Sequence, residues 1–274
     1  MGLFWKKDCA ICNGKTGILG GTKVKDGNLC KECKKLLSPW FIDYKESTVD
    51  DIKKQLEYRK QNQENLKSFE PTRIFGDFGC ILIDEKNKRF IAVDDTSEGL
   101  FKGPKKVTGV NDIIDKNPDI IEFSQIESID IDVHESKREE KKTENGAQVS
   151  YNPKHYTYMY SFTLEFKVNH PYFHYMRITL NNGTVQIYNE GERLKENLAM
   201  KITELILQAP EIDIQNQAEV YDGASLRNLL FKDKSRMPDY SYGFKCTLKN
   251  WEHIQEYGYY LALVKEIYNI LMNK

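Results

Sequence analysis

Two Cys-x-x-Cys pairs, Cys9/Cys12 and Cys30/Cys33, stand seventeen residues apart inside the first 33 positions. That spacing is the one that brings four thiolates to a single zinc ion. A segment this short cannot bury enough apolar surface to fold unaided, so a metal cross-link has to supply the stability. Zinc in structural sites takes a closed tetrahedron of thiolates and leaves no open position for water. The expectation is therefore one structural zinc ion on Cys9, Cys12, Cys30 and Cys33, with no catalytic residue among them. Iron in a rubredoxin-like knuckle is the chemical rival, but the further Gly and aromatic residues of such knuckles are missing. A disulfide framework would need an oxidising compartment.

Local chemistry around the cysteines agrees with a metal knuckle. Asn13-Gly14 follows the first pair, and both residue types accept the tight left-handed turn that a knuckle needs. Residues 16–27, ending in Asp26-Gly27, read as a short hairpin. Residues 31–37 read as a short helix that stops before Pro39. Residues 1–40 carry eight lysines against three acids. Four thiolates and a divalent ion bring the sum of +5 to about +3. That is a modest basic surface without an arginine to read a guanine edge.

Over all 274 residues the net charge is −1, which argues against wholesale attraction to nucleic acid or anionic membrane. No apolar run approaches the length of a membrane span. Residues 1–7 lack the layout of a secretion signal, and Lys6 breaks the myristoylation pattern that Gly2 would start. With paired thiols and no export signal, a cytoplasmic location is expected.

Behind the cysteines, Ser47-x-x-Asp50 and Thr48-x-x-Asp51 offer alternative caps for a helix that Pro71 would stop. Its apolar stripe is thin (Ile52, Leu56, Leu66) and residues 59–64 are polar throughout, so a half-solvated linking helix is expected. Residues 78–83 and 89–93 read as a hairpin, and 129–133 as a half-buried strand. Period-two alternation then runs through Tyr156, Tyr158, Tyr160, Phe162, Leu164, Phe166 and Val168, and again through His174, Met176, Ile178 and Leu180. Asn182-Gly183 signals a hairpin turn into a return strand over 185–188. The charged stretch 134–154 reads as a mobile loop. Leu194, Leu198, Ile202, Leu205 and Ile206 mark one helix, and Trp251, Ile254, Tyr257, Leu261, Val264, Tyr268 and Leu271 a second, with irregular chain between them.

Several antiparallel strands closed by one helix describe a pleckstrin-homology-like barrel. The fold class expected is α+β: a zinc ribbon over 1–46, a linking helix over 47–71, and a pleckstrin-homology-like sheet domain with C-terminal helices over 72–274. The Cys-x-x-Cys pairs, Asp26-Gly27, the helix at Asp51-Ile52-Lys53 and the Pro71-Thr72 approach to the strands resemble an uncharacterised bacterial family. Its members carry an N-terminal zinc-ribbon domain of unknown function, often followed by a pleckstrin-homology-like region. The resemblance implies zinc at the four cysteines and no activity.

No phosphate loop, nucleophile elbow or His-Glu-x-x-His helix is present. His170 and His174, with His155 upstream, form a weak candidate for a second metal site. Asp130 and Asp132 share a strand face, and Asp94-Asp95 has no evident partner. The function expected is a non-enzymatic binding or adaptor protein whose partner is a protein or peptide. Nucleic-acid binding through the ribbon lysines is the first alternative, and an enzyme with an unrecognised site the second.

Overall fold

The computed structural model describes residues 8–16, 21–76, 78–97, 103, 105–189 and 248–272. The chain divides into two compact units, Met1–Asp130 with Glu165–Ile178 and Lys274, and Ile131–Leu164 with Thr179–Asn273.

The first unit begins with the cysteine module. Strands β1 (Thr22–Val24) and β2 (Gly27–Leu29) form the expected hairpin, and α1 (Lys31–Lys35) follows at once. Helix α2 (Val49–Leu66) is opened by a capping box, which selects Thr48 over Ser47: Thr48 Oγ1 accepts from Asp51 N at 3.2 Å and Thr48 N donates to Asp51 Oδ2 at 3.1 Å. The buried positions of α2 are Ile52, Gln55, Arg59, Asn62 and Leu66. They recur at alternating steps of three and four, the spacing of one helix face. The expected solvation of residues 59–64 is thus corrected for Arg59 and Asn62. Arg59 and Asn62 are buried because residues 117–120 supply their partners, which periodicity of apolar residues cannot register.

The start of α2 is part of the cysteine module's core. Ile52 joins Val24, Leu29, Leu37 and Phe41, with Ile11, Val49, Leu56 and Tyr172 packed around them. Asp26 Oδ1 accepts from Val49 N at 2.7 Å, tying the hairpin turn to the helix start. Gly27 is required here, because a Cβ would lie 2.6 Å from Val49 Cγ2.

The far end of α2 covers a four-stranded antiparallel sheet of order β3-β4-β5-β6: Arg73–Phe75, Cys80–Asp84, Arg89–Val93 and Ile120–Glu122. Leu66, Phe69 and Ile113 pack on Cys80, Leu82, Ile91, Val93 and Ile120. On the other face Phe90 stacks on Phe166 at 5.4 Å. Burial of both faces accounts for the unbroken apolar runs in β4 and β5.

In the second unit, the longest strands are β7 (Ile126–Glu144) and β8 (Ala147–Val168), which begin or end in the first unit. Their alternation is as expected over residues 158–168, where every even position is buried. The expected loop at 134–154 is corrected: it is the exposed end of this hairpin, turned by Asn145 (φ 51°) and Gly146 (φ 80°). Both faces are solvated there, so no apolar alternation marks the strands, while the ladder still pairs the backbone. Strand β9 (Tyr175–Thr179) and strand β10 (Val185–Asn189) each pair with β8, so Asn182-Gly183 does not fold β10 back onto β9. Buried Asn181 fills the break by accepting from Phe162 N at 2.8 Å and donating to Tyr160 O at 3.2 Å.

Helix α3 (Leu248–Met272) spans the second expected stripe, of which Tyr257, Leu261, Val264 and Leu271 are buried and Tyr268 is half-buried, while the side chains of Trp251 and Ile254 lie outside the described residues. Tyr257 meets Tyr160 and Phe162 at 4.7 and 5.2 Å, and Tyr260 stacks on Phe162 at 5.5 Å. The helix expected around 194–206 and the irregular chain up to 247 lie outside the described residues. The architecture is a mixed α/β fold with antiparallel sheets. Among the described residues these are three open sheets and no closed barrel. The physical reason lies in β6, which returns to β5 and completes a sheet of its own before the long hairpin begins.

Candidate metal centre

The four cysteine sulfurs converge, each within 4.8 Å of the others. Cys12 Sγ and Cys30 Sγ are 3.7 Å apart. A tetrahedron with metal–sulfur bonds of about 2.3 Å has edges of about 3.8 Å, so the donor set fits one ion. Two knuckles present the sulfurs. In the first, Asn13 takes the left-handed conformation (φ 57°), Cys9 O accepts from Asn13 N, and Cys9 N donates back to Gly14 O at 2.8 Å. A side chain at Gly14 would stand 3.2 Å from Cys12 Sγ. In the second, Cys30 caps α1, its sulfur accepting from Cys33 N at 3.4 Å. Ala10 N donates to Asn28 O at 2.8 Å and ties the first knuckle to the hairpin.

Cys9 and Cys33 are buried, while Cys12 is exposed. Burial opposes ionisation of Cys9, but hydrogen bonds from the Cys12, Cys30 and Ile11 backbone and the Cys12 side chain outweigh it and bring the thiol down to about 6. Cys33 is pushed up, first by burial and then by its sulfur neighbours and the Cys9 charge. Crowded thiolates repel one another, and a divalent cation relieves that repulsion.

Beside the knuckles lies a buried polar clamp that sequence reasoning missed. Arg59 forms an ion pair with Asp119, both essentially without solvent contact. Ser38 Oγ donates to the second Asp119 oxygen at 2.6 Å. Arg59 Nη2 donates to Asn117 O at 2.7 Å, Asn117 Oδ1 at 2.6 Å and Pro118 O at 3.0 Å. Asn62 donates to Pro118 O and accepts from Ile120 N, at 2.8 and 2.9 Å. Asn117 is left-handed (φ 52°), and its Nδ2 reaches the carbonyls of Lys35, Leu36 and Leu37 at 2.9–3.3 Å, where α1 ends. Burial pushes the Asp119 carboxyl up, and Arg59 and Ser38 pull against it. A short helix thus starts on a metal knuckle and ends on the clamp. The available signals were the three-four spacing of Ile52, Gln55, Arg59, Asn62 and Leu66, and the Asn117-Pro118 turn dipeptide.

The remaining candidates separate. His170 is buried, accepts from Tyr172 N at Nδ1 (3.3 Å) and places Nε2 2.9 Å from the Tyr58 hydroxyl. Burial, with Arg59 and His174 in support, depresses it to about 4. His174 is exposed, with Nδ1 3.4 Å from Val168 O, so the two rings have different partners. Asp130 lies on an exposed position, and Asp95 accepts from Ser97 N. Among the described residues, the four cysteines alone form a group with ligand atoms in reach of one ion. Among them, too, no helix is long and apolar enough to cross a membrane.

A family described only as a domain of unknown function, DUF4428, matches residues 7–55. The match takes in all four cysteines and ends at the buried Gln55 of α2. No curated protein and no solved structure matches the chain.

Proposed function

We propose that Cys9, Cys12, Cys30 and Cys33 hold one structural zinc ion, and that the protein is a non-enzymatic binding or adaptor protein. The 3.7 Å separation of Cys12 and Cys30 sulfurs carries the metal assignment. Four thiolates complete the shell of the ion, so its role is to cross-link rather than to activate water. Zinc is favoured over iron because the knuckles lack the further Gly and aromatic residues of rubredoxin-like sites. Thiols gathered as metal ligands suit a reducing compartment, which supports a cytoplasmic setting. For the strand region we retain a pleckstrin-homology-like scaffold, supported by antiparallel strands with α3 packed over Tyr160 and Phe162.

Elemental analysis of reduced, purified protein tests this reading. One zinc per chain is expected, and its removal by a chelator should collapse the amide dispersion of residues 8–46. Iron with its thiolate absorption bands, or a metal-free module that keeps its dispersion, would overturn it.

A further inference from the structure

A groove of about 330 Å³ runs beside α1 and the clamp. Leu37, Phe41 and Ile42 line it with apolar surface, and Lys34, Lys35 and Lys116 with charge, against one acid, Asp115. Ile42 is 68% exposed, an isoleucine held in water with nothing among the described residues covering it. Leu37 and Phe41 beneath are buried. The geometry points to a docking site for a short acidic peptide segment of a partner protein, with one aliphatic side chain against Ile42 and carboxylates at the three lysines.

Three observations favour this occupant. The first is charge: three cations and one anion around an apolar patch complement an acidic segment and would steer its approach. The second is the character of the exposed apolar side chain. Ile42 offers an aliphatic contact, whereas nucleobases need open aromatic faces. The Tyr44 ring already has the Lys34 ammonium over it at 5.2 Å, and no arginine lines the groove. The third is rigidity. Ser38 is bound to Asp119 and Asn117 to the last carbonyls of α1, so little ordering cost falls on the groove itself. Lys35 also pairs with Glu32 at 3.1 Å, and Lys116 donates to Ser97 O at 2.6 Å. Glu32 offsets part of the Lys35 charge, and Asp94 and Asp95 lie close enough to feel Lys116. The surplus is therefore smaller than the lining alone gives, although solvent screens these exposed or half-exposed pairs.

The inference rests on the binding function proposed above and deepens it. Its test uses full-length, zinc-loaded, ¹⁵N-labelled protein with three probes: a hexapeptide of sequence Glu-Asp-Leu-Ile-Asp-Glu, its lysine-substituted counterpart, and a single-stranded twelve-nucleotide RNA. The acidic peptide should shift amides at 34–44 and 115–117. Its affinity should fall at least tenfold in Ile42→Asp and in the Lys34→Glu/Lys35→Glu double variant, and also between 50 and 500 mM salt. Both variants alter exposed side chains, and an otherwise unchanged spectrum certifies their fold. No shift with the acidic peptide, indifference to Ile42→Asp, or the same shifts with RNA alone would overturn the assignment. Protein that keeps its zinc and dispersion yet ignores the peptide refutes the groove only. Protein without zinc refutes the structural reading before any peptide is added.

Discussion

The cysteine cluster and the Arg59–Asp119 clamp are polar fasteners at the two ends of α1, the first partly exposed through Cys12 and the second buried, and they solve opposite electrostatic problems. The cluster gathers groups that become like-charged when ionised, so it holds together through an added cation. The clamp brings its own cation and anion, and Ser38, Asn117 and Pro118 take up hydrogen bonds of the carboxylate and of the two terminal guanidinium nitrogens, leaving the Arg59 Nε without a partner among the described residues. One fastener therefore depends on an external supply of metal and on reduced sulfur. The other depends only on the chain being folded. The lesson is that the same short helix answers to the cell's chemistry at its start and to the fold at its end.

The largest effect expected is at the cluster. Cys33→Ser should abolish stoichiometric zinc and unfold residues 8–46, since structural zinc supplies on the order of 10 kcal/mol of folding free energy in small modules. Elemental analysis and amide dispersion report it, and a variant that stays folded without metal would erase the contrast between the two fasteners.

Next is the clamp. Asp119→Ala leaves Arg59 buried without its anion, and a loss of about 3–5 kcal/mol is expected by chemical denaturation. The Arg59→Met/Asp119→Leu pair removes both charges and should lose clearly less than Asp119→Ala alone. Equal losses would mean that the clamp acts through shape rather than charge.

A smaller effect follows from His170. Its folded value, about 4, lies below the ordinary 6.5 of an unfolded histidine. The unfolded chain therefore binds more protons between those values. The contribution is fully present above about pH 6.5 and is lost as pH falls through that window. Between pH 7 and 5 the native chain should lose about 1–2 kcal/mol more than His170→Gln does. Parallel stability curves for the two would remove this third buried polar contact from the account.

The smallest effect sharpens what makes a buried polar group useful. Gln55 shares the buried face of α2 with Asn62, yet neither of its amide atoms has a partner. Gln55→Met should be neutral or stabilising by up to about 1 kcal/mol, while Asn62→Leu should destabilise by about 1–3 kcal/mol, chiefly by orphaning the buried Ile120 N–H, since Pro118 O keeps its bond from Arg59. A large loss in Gln55→Met would show that its amide is satisfied by buried water.

What could be read from the sequence divides along the same line. The knuckles were legible because metal ligation demands particular residues at particular separations, and Asn13-Gly14 completes them locally. The alternation of 158–168 was legible because one face of a strand is dry. Arg59 was not, because its burial is licensed by Asn117, Pro118 and Asp119, some sixty residues away. Nor was the outer half of the β7–β8 hairpin, where both faces are wet and only Asn145-Gly146 betrays the turn.

From its residues alone, this chain declares a four-sulfur knuckle, a capped helix behind it and an aromatic strand, because each follows from chemistry within one short stretch of neighbouring positions. Tertiary structure alone decided that the helix carries a buried charge, that the sheets stay open among the described residues, and that a lysine-rimmed groove forms beside α1. Those outcomes depend on which distant groups arrive to satisfy a charge, an edge or a carbonyl, and no local pattern encodes that meeting.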